Sequence, residues 1–148
     1  MVGLLDVNVL VALAWPTHVH HAAAHAWFDR NRKAGWATCP VTQAGFVRVV
    51  SNASFSPDAL TPREAFSHLG KIVALAGHVF WPDDTPLIGS RFVAEDKLVG
   101  FRQVTDAHLL AVALRHRGVL VTFDRGARGV VPHGFRSDVV EVLAPRAD

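Results

Sequence analysis

Two short apolar segments, far apart in the chain, each end in an aspartate, and this pattern constrains the fold more than any other feature. Val2–Leu5 leads into Asp6, and the β-branched run Val119–Phe123 leads into Asp124. Short apolar runs of this kind are typical of strands that are buried on both faces of a parallel sheet. We therefore expect two parallel strands, each with a carboxylate at its carboxyl end.

The rest of the chain alternates between helical and strand-like segments. Proline, glycine and capping residues separate them. The predicted helices cover Val9–Trp15, His18–Arg32, a segment capped by Thr42, a segment starting at Thr61-Pro62, Leu87–Val99, and Asp106–His116 with Thr105 as N-cap; the other predicted strands are Trp36–Thr38, His78–Trp81 and Val139–Val142. This alternation predicts the α/β class, a three-layer α/β/α sandwich with a mainly parallel central sheet, formed by residues 1–148 as a single domain.

Composition excludes several classes of protein. With 50% hydrophobic and 19% charged residues, the chain is globular rather than disordered. The net charge of +2 permits an anionic partner without requiring one. Cys39 is the single cysteine, which excludes a disulfide framework, so we expect a buried thiol and a cytoplasmic location. The start Met1–Asp6 lacks the positive charge of a secretory signal, and we find no apolar stretch of the roughly 18 residues needed for a membrane span.

Three aspartates are placed where an α/β protein binds ligands. Asp6 and Asp124 follow predicted strands, and Asp106 opens a predicted helix. Ligands of open parallel sheets gather outside the carboxyl ends of the strands, so we expect these three acids to converge. Clustered carboxylates raise one another's pKa unless a hard divalent cation such as Mg²⁺ or Mn²⁺ neutralises them. The chemistry that such a site suits is hydrolysis of a phosphodiester.

Several motifs resemble one family in their order and spacing. Leu5–Leu10, Val104–Ala113 and Val121–Arg125 are similar to the successive acidic motifs of the PIN-domain family. Cys39–Val49 and His20–Trp27 resemble the corresponding segments of VapC-type toxins from VapBC toxin–antitoxin systems, in particular the mycobacterial-like branch. The resemblance covers essentially the whole chain.

The resemblance implies an Mg²⁺- or Mn²⁺-dependent endoribonuclease with a PIN-like fold. Asp6, Asp106 and Asp124 would be its catalytic acids, with Asp6 and Asp106 in direct contact with the metal and Asp124 either binding metal or orienting the attacking water. It also implies an RNA substrate, a homodimer and a cognate VapB-like antitoxin, which would place an apolar helix or extended tail in a groove.

Four further residues are candidates for the site. Asn8 is expected to hydrogen-bond Asp6 or a water on the metal. Arg48 and Arg125 are candidate contacts to RNA phosphates. Gln43 occupies the position at which many PIN nucleases carry a glutamate; a neutral glutamine binds metal more weakly, so a second metal ion is in doubt and Gln43 is expected to have a polar role.

Other functions stay open from the sequence. A PIN-like RNA- or protein-binding module with weak or no catalysis is one, and Gln43 is the residue that favours it. A haloacid-dehalogenase-type phosphatase is another, because Asp6-Val-Asn-Val resembles its nucleophile motif, although Lys71 and Lys97 are poorly placed for it. His21 and His25 have the spacing of a helical zinc pair, but they lack the accompanying glutamate, so we expect an ordinary helix face.

Overall fold

The structure, a computed structural model, describes residues 1–145 and has a five-stranded parallel sheet at its centre. The strands are β1 (Gly3–Leu5), β2 (Trp36–Thr38), β3 (His78–Phe80), β4 (Val119–Thr122) and β5 (Val140–Val142). Every pairing between neighbours is parallel, in the order β3-β2-β1-β4-β5. The predicted α/β class and mainly parallel sheet are confirmed.

Helices cover both faces of this sheet. They are α1 (Val7–Ala14), α2 (His21–Asn31), α3 (Pro40–Val50), α4 (Pro62–Val73) and α5 (Arg102–Arg115), with 3₁₀ turns at Glu95–Lys97, Arg125–Val130 and Ser137–Val139. Leu5 packs into an apolar cluster with α1 to α4, whereas its neighbour Leu4 packs into a second cluster with α5. Because successive residues of a strand face opposite sides, these two clusters are the two interiors of a three-layer sandwich. No helix within residues 1–145 is long and apolar enough to cross a membrane.

The strand order reverses between β1 and β4. The strands β2 and β3 lie on one side of β1 in the sheet, and β4 and β5 lie on its other side. Leu5 pairs with Val121 across this point, and the N–H of Asp6 donates to the carbonyl of Val121 at 2.9 Å. The crevice outside the carboxyl ends at such a reversal is the usual ligand site of open parallel sheets. Asp6 and Asp124 therefore follow adjacent strands.

The predicted helix over Leu87–Val99 is wrong. This segment is an irregular connection with one 3₁₀ turn at Glu95–Lys97. Ile88 and Val99 are 84% and 94% exposed, whereas Phe92, Ala94 and Leu98 pack against the core, so the apolar residues of this segment do not all lie on one buried face. Gly89 has a φ of +73°, a conformation that interrupts a right-handed helix.

Three predicted helix starts are too late: α1 begins at Val7 rather than at Val9, and α3 and α5 also begin earlier than predicted. The helix α5 begins at Arg102 rather than at Asp106, because the side chain of Gln103 accepts hydrogen bonds from the N–H groups of Val99 and Gly100 and stabilises the earlier start. In the same way α3 begins at Pro40, and Thr42 lies at its third position, where its hydroxyl accepts from the N–H of Cys39 at 3.0 Å. Asp106 therefore lies in the second turn of its helix.

Candidate active site

Asp6 connects the first strand to the first helix. It is the N-cap of α1, and its Oδ1 accepts from the N–H of Val7 at 2.7 Å. Its Oδ2 accepts from the hydroxyl of Thr122 at 2.7 Å. The side chain is buried, and this burial raises the pKa of Asp6 although the hydrogen bonds from Thr122 and Val7 oppose the rise. Both oxygens of this carboxylate are thus held in a defined orientation at the end of β1.

Asp106 projects into the same region from α5. The residue is only 8% exposed, and within residues 1–145 no hydrogen bond to its carboxyl group is found. Its pKa is raised to about 6, first by burial and then by the negative charges of Asp6 and Asp124. Because such coupling between carboxylates requires proximity, the three predicted acids share one site.

Asp124 is the most accessible of the three acids. Its Oδ1 accepts from the N–H of Gly126 at 2.7 Å, which fixes the turn after β4. Its own backbone N–H donates to the hydroxyl of Thr122 at 3.0 Å. The charge of Asp124 contributes to the raised pKa of both Asp6 and Asp106. It is therefore a solvent-facing carboxylate at the edge of a more buried pair.

Thr122 organises the site, and the sequence analysis did not single it out. Its hydroxyl donates to Asp6 and accepts from the side-chain amide of Asn8 at 3.2 Å and from the N–H of Asp124, so all its hydrogen-bonding capacity is used. Asn8 bonds Thr122 rather than Asp6, and its Oδ1 accepts from the N–H of Phe123 at 3.2 Å; its expected bond to a water on the metal stays a prediction. A polar residue as the last residue of a buried strand, two positions before an acid, is the signal that could have identified Thr122.

Thr122→Val is expected to lower both stability and activity. The isosteric valine removes three hydrogen bonds at a buried position and leaves Asp6 and Asn8 with unmatched polar atoms, at a cost of about 1–3 kcal/mol. The measurement is urea denaturation combined with an RNA-cleavage assay, and Thr122→Ser, which keeps the hydroxyl, is the control. Equal stability of the valine and serine variants would contradict the role given to this hydroxyl.

Gln43 is bonded to the neighbouring strand β2. Its Nε2 donates to the hydroxyl of Thr38 at 3.0 Å, and the same hydroxyl lies 2.8 Å from Nε2 of His78. Burial lowers the pKa of His78, which favours its neutral form in this network. The structure thus gives Gln43 a polar contact with Thr38, the last residue of the strand next to β1.

The two predicted phosphate-binding arginines lie on different surfaces. Arg48 is exposed and lines an apolar groove of about 450 Å³ between α3 and α4, together with Gln43 and Phe66. Arg125 is exposed in the turn after Asp124 and lines a cavity of about 310 Å³ beside the end of β5. Arg125 is therefore adjacent in sequence to Asp124, whereas Arg48 borders the groove between α3 and α4.

The acids fit a hard cation that retains water, and they do not form a closed metal site. Within residues 1–145, no group of three or more histidine, cysteine, aspartate or glutamate side chains is arranged to hold a metal ion. The zinc interpretation of the histidines is disfavoured too, because Nδ1 of His21 lies 2.7 Å from the carbonyl of Ala12. Mg²⁺ is usually held by only one or two carboxylates, with waters and substrate phosphate completing its shell. Asp106, whose carboxyl group has no hydrogen-bond partner in the part of the chain that the structure describes, is free to act as one of these ligands.

Comparison with known proteins identifies the class. The PIN domain family matches residues 3–130, and the chain belongs to this family. Ribonuclease VapC39 of Mycobacterium tuberculosis is 53% identical to it over 143 residues, which is 97% of this chain and 100% of that protein. Ribonuclease VapC38 of the same organism is 52% identical over 125 residues, covering 84% and 86% of the two chains. Within the PIN family the chain is thus of the VapC type and of the mycobacterial branch.

Solved structures agree on the fold. VapBC2 from Rickettsia felis, bound to a DNA fragment from its promoter, superposes with a TM-score of 0.59 at 13% identity, over 88% of this chain and 93% of that chain. PAE2754 from Pyrobaculum aerophilum superposes with a TM-score of 0.55 at 24% identity, over 84% and 76%. The expected PIN-like three-layer sandwich is confirmed, and family membership removes the basis for the phosphatase alternative.

Proposed function

We propose that this protein is a metal-dependent endoribonuclease toxin of the VapC type. One observation carries the proposal: within residues 1–145 the largely buried Asp106 has no hydrogen-bond partner for its carboxyl group, and its pKa is raised by the charges of Asp6 and Asp124 at the reversal of strand order. The similar proteins VapC39 and VapC38 are ribonucleases by name, which supports RNA as the substrate. A single domain over residues 1–148 and a cytoplasmic location complete the proposal.

The metal is assigned to Asp6 and Asp106. Both are carboxylates in a buried setting, and both have a raised pKa that a divalent cation would reverse. Mg²⁺ or Mn²⁺ supplies positive charge at the phosphate under attack and increases the nucleophilicity of water. Gln43 is neutral and donates to Thr38, so we do not include it among the metal ligands. Its proposed role is to hydrogen-bond polar groups at the margin of the site.

The protein's own residues then position the reaction. Thr122 fixes the Asp6 carboxylate, and Asn8 fixes Thr122, so the end of β1 is held against the end of β4. Asp124, exposed at the edge of the site, is placed to accept a hydrogen bond from the attacking water and orient it. Arg125, one residue further along, is one candidate for a phosphate contact, and Arg48, which lines a groove with Gln43, is another.

A VapB-like antitoxin is the proposed partner. The Rickettsia felis neighbour is a VapBC complex, which supports this assignment for a VapC-type chain. The apolar groove between α3 and α4, bordered by Phe66 at 67% exposure, is the kind of surface that an apolar helix or tail of an antitoxin requires. A homodimer of the chain is part of the same proposal.

The proposal is tested by RNA cleavage with and without a divalent ion. The purified protein is expected to cleave single-stranded RNA in Mg²⁺ or Mn²⁺, to lose this activity in EDTA, and to recover it when Mn²⁺ is added back in excess. A DNA oligonucleotide of the same base sequence is the matched control and is expected to stay intact. Cleavage that persists in EDTA would contradict the metal dependence, and intact RNA under every metal condition would contradict the nuclease assignment.

A further inference from the structure

An aromatic ring and an arginine stand exposed at the start of α5. Phe101 is 83% exposed, an unusual environment for a phenylalanine. The guanidinium carbon of Arg102 lies 5.8 Å from the centre of its ring, within the range of a cation–π contact. The remaining ring surface is open to solvent, so this pair is a flat apolar surface next to a positive charge.

The pair is adjacent to the proposed catalytic acids. Arg102 and Asp106 are four residues apart in α5, so they lie on the same helix face about 6 Å apart at Cβ. Yet no basic group is among the causes that shift the pKa of Asp106, and within residues 1–145 Arg102 forms no ion pair. The positive charge of Arg102 is therefore available to another anion.

We propose that Phe101 and Arg102 form a substrate-binding surface, on which an unpaired base of the RNA stacks against Phe101 while Arg102 binds a backbone phosphate beside it. Bases stack on exposed aromatic rings in single-stranded nucleic-acid sites, and arginine is the residue best suited to bind phosphate. This inference rests on the proposed nuclease function, and it adds two residues to the candidate contacts Arg125 and Arg48.

The charge of Arg102 favours RNA rather than a protein as the partner that covers Phe101. A protein partner that covered Phe101 would also desolvate Arg102, and an arginine without an acid is costly to bury. When RNA covers the Phe101 ring, a backbone phosphate of the same RNA neutralises the charge of Arg102. RNA bound at the proposed catalytic acids would also lie close to Phe101 and Arg102, because Asp106 is one helical turn from Arg102.

The chain contains a matched control pair. The guanidinium of Arg91 lies 4.8 Å from the centre of the Phe92 ring, in the same kind of contact. Arg91 is exposed and lines a cavity with Arg115, at the opposite end of α5 from Arg102. Arg91→Ala therefore removes the same charge without touching the surface next to Asp106.

Binding and cleavage by point variants of the full chain test the inference. Phe101→Ala is expected to raise both the KM for RNA cleavage and the Kd for a single-stranded RNA about ten-fold. The Kd is measured by fluorescence anisotropy in EDTA. The kcat for cleavage is expected to change by less than about two-fold. Phe101→Trp is expected to keep wild-type binding, and Phe101→Leu, apolar but without a π-face, to bind as weakly as the alanine variant. Arg102→Ala is expected to weaken binding and to reduce the slope of log Kd against log salt by about 0.7, whereas Arg91→Ala leaves both unchanged.

Three results would overturn the inference. The first two are RNA binding as tight as that of the wild type by Phe101→Ala or by Phe101→Leu. The third is a loss of RNA binding that is accompanied by a change in oligomeric mass in light scattering, which would show that Phe101 contacts a second copy of the chain. The proposed function is tested separately. If the wild type cleaves RNA and the Phe101 variants behave like it, only this surface is wrong; if the wild type binds RNA through Phe101 without cleaving it, only the nuclease assignment is wrong.

Discussion

Asp106→Asn is expected to reduce RNA cleavage by about 10³-fold, or about 4 kcal/mol of transition-state stabilisation, while the fold is retained. The substitution removes the charge that the proposed metal requires. It breaks no hydrogen bond in the described chain, because none to the Asp106 carboxyl group is found there, and the amide has nearly the same shape. The measurement is kcat/KM on a defined RNA, with circular dichroism to verify the fold.

Asp106 is the better position for this experiment than Asp6. The Asp6 carboxylate accepts hydrogen bonds from Val7 and Thr122, so an amide there would disturb the structure as well as the charge. Asp29→Asn, at an exposed position on α2, is the matched control and should keep full activity. If the Asp106 and Asp29 variants cleaved RNA equally well, Asp106 would have no part in the reaction.

The metal-free protein is expected to lose up to about 3 kcal/mol of stability between about pH 4 and pH 6.5. Folding raises the pKa of Asp106 from 3.8 to about 6. Between these values the folded protein holds a proton that the unfolded chain has released, so the free energy of unfolding falls as pH rises through this window. The raised pKa of Asp6 acts in the same direction. Urea denaturation in EDTA across this pH range measures the effect.

The Asp106→Asn variant isolates the contribution of Asp106 to this pH dependence. An amide does not titrate, so its stability should fall less over the same range, and the variant should be more stable than the wild type above about pH 6.5. Mg²⁺ should stabilise the wild type more than this variant, because the ion binds the ionised carboxylate. If the free energy of unfolding fell equally with pH for the two proteins in EDTA, the ionisation of Asp106 would not be the cause of the lost stability.

Much of the fold was predictable because its strands are short, apolar and locally delimited. β2 agrees with its prediction at both ends, and α4 begins where Thr61 and Pro62 predict. There Thr61 and Glu64 cap each other's backbone N–H groups, an interaction within four residues of sequence. The wrong helix over Leu87–Val99 has the opposite cause, since apolar spacing alone does not show whether a core exists to bury that face.

The candidate site was predictable only in part. Asp6 and Asp124 stand out because each ends an apolar strand, and Asp106 because its motif resembles those of the PIN family. Thr122 was missed because its role depends on partners that are 114 and 116 residues away in sequence. The hydrogen bond between Asn8 and Thr122 was not predictable for the same reason.

Local sequence determined most of the strands and helices, the segment Leu87–Val99 excepted, and which acids follow the strands, because these features arise from the period of apolar side chains and from capping within a few residues. Only the tertiary structure decided that β1 and β4 are neighbours and that Asp106 lies near enough to Asp6 and Asp124 for their charges, together with burial, to raise its pKa to about 6. The physical reason is that strand order, burial and the coupling of charges depend on how distant segments pack, and no local pattern encodes the distance between them.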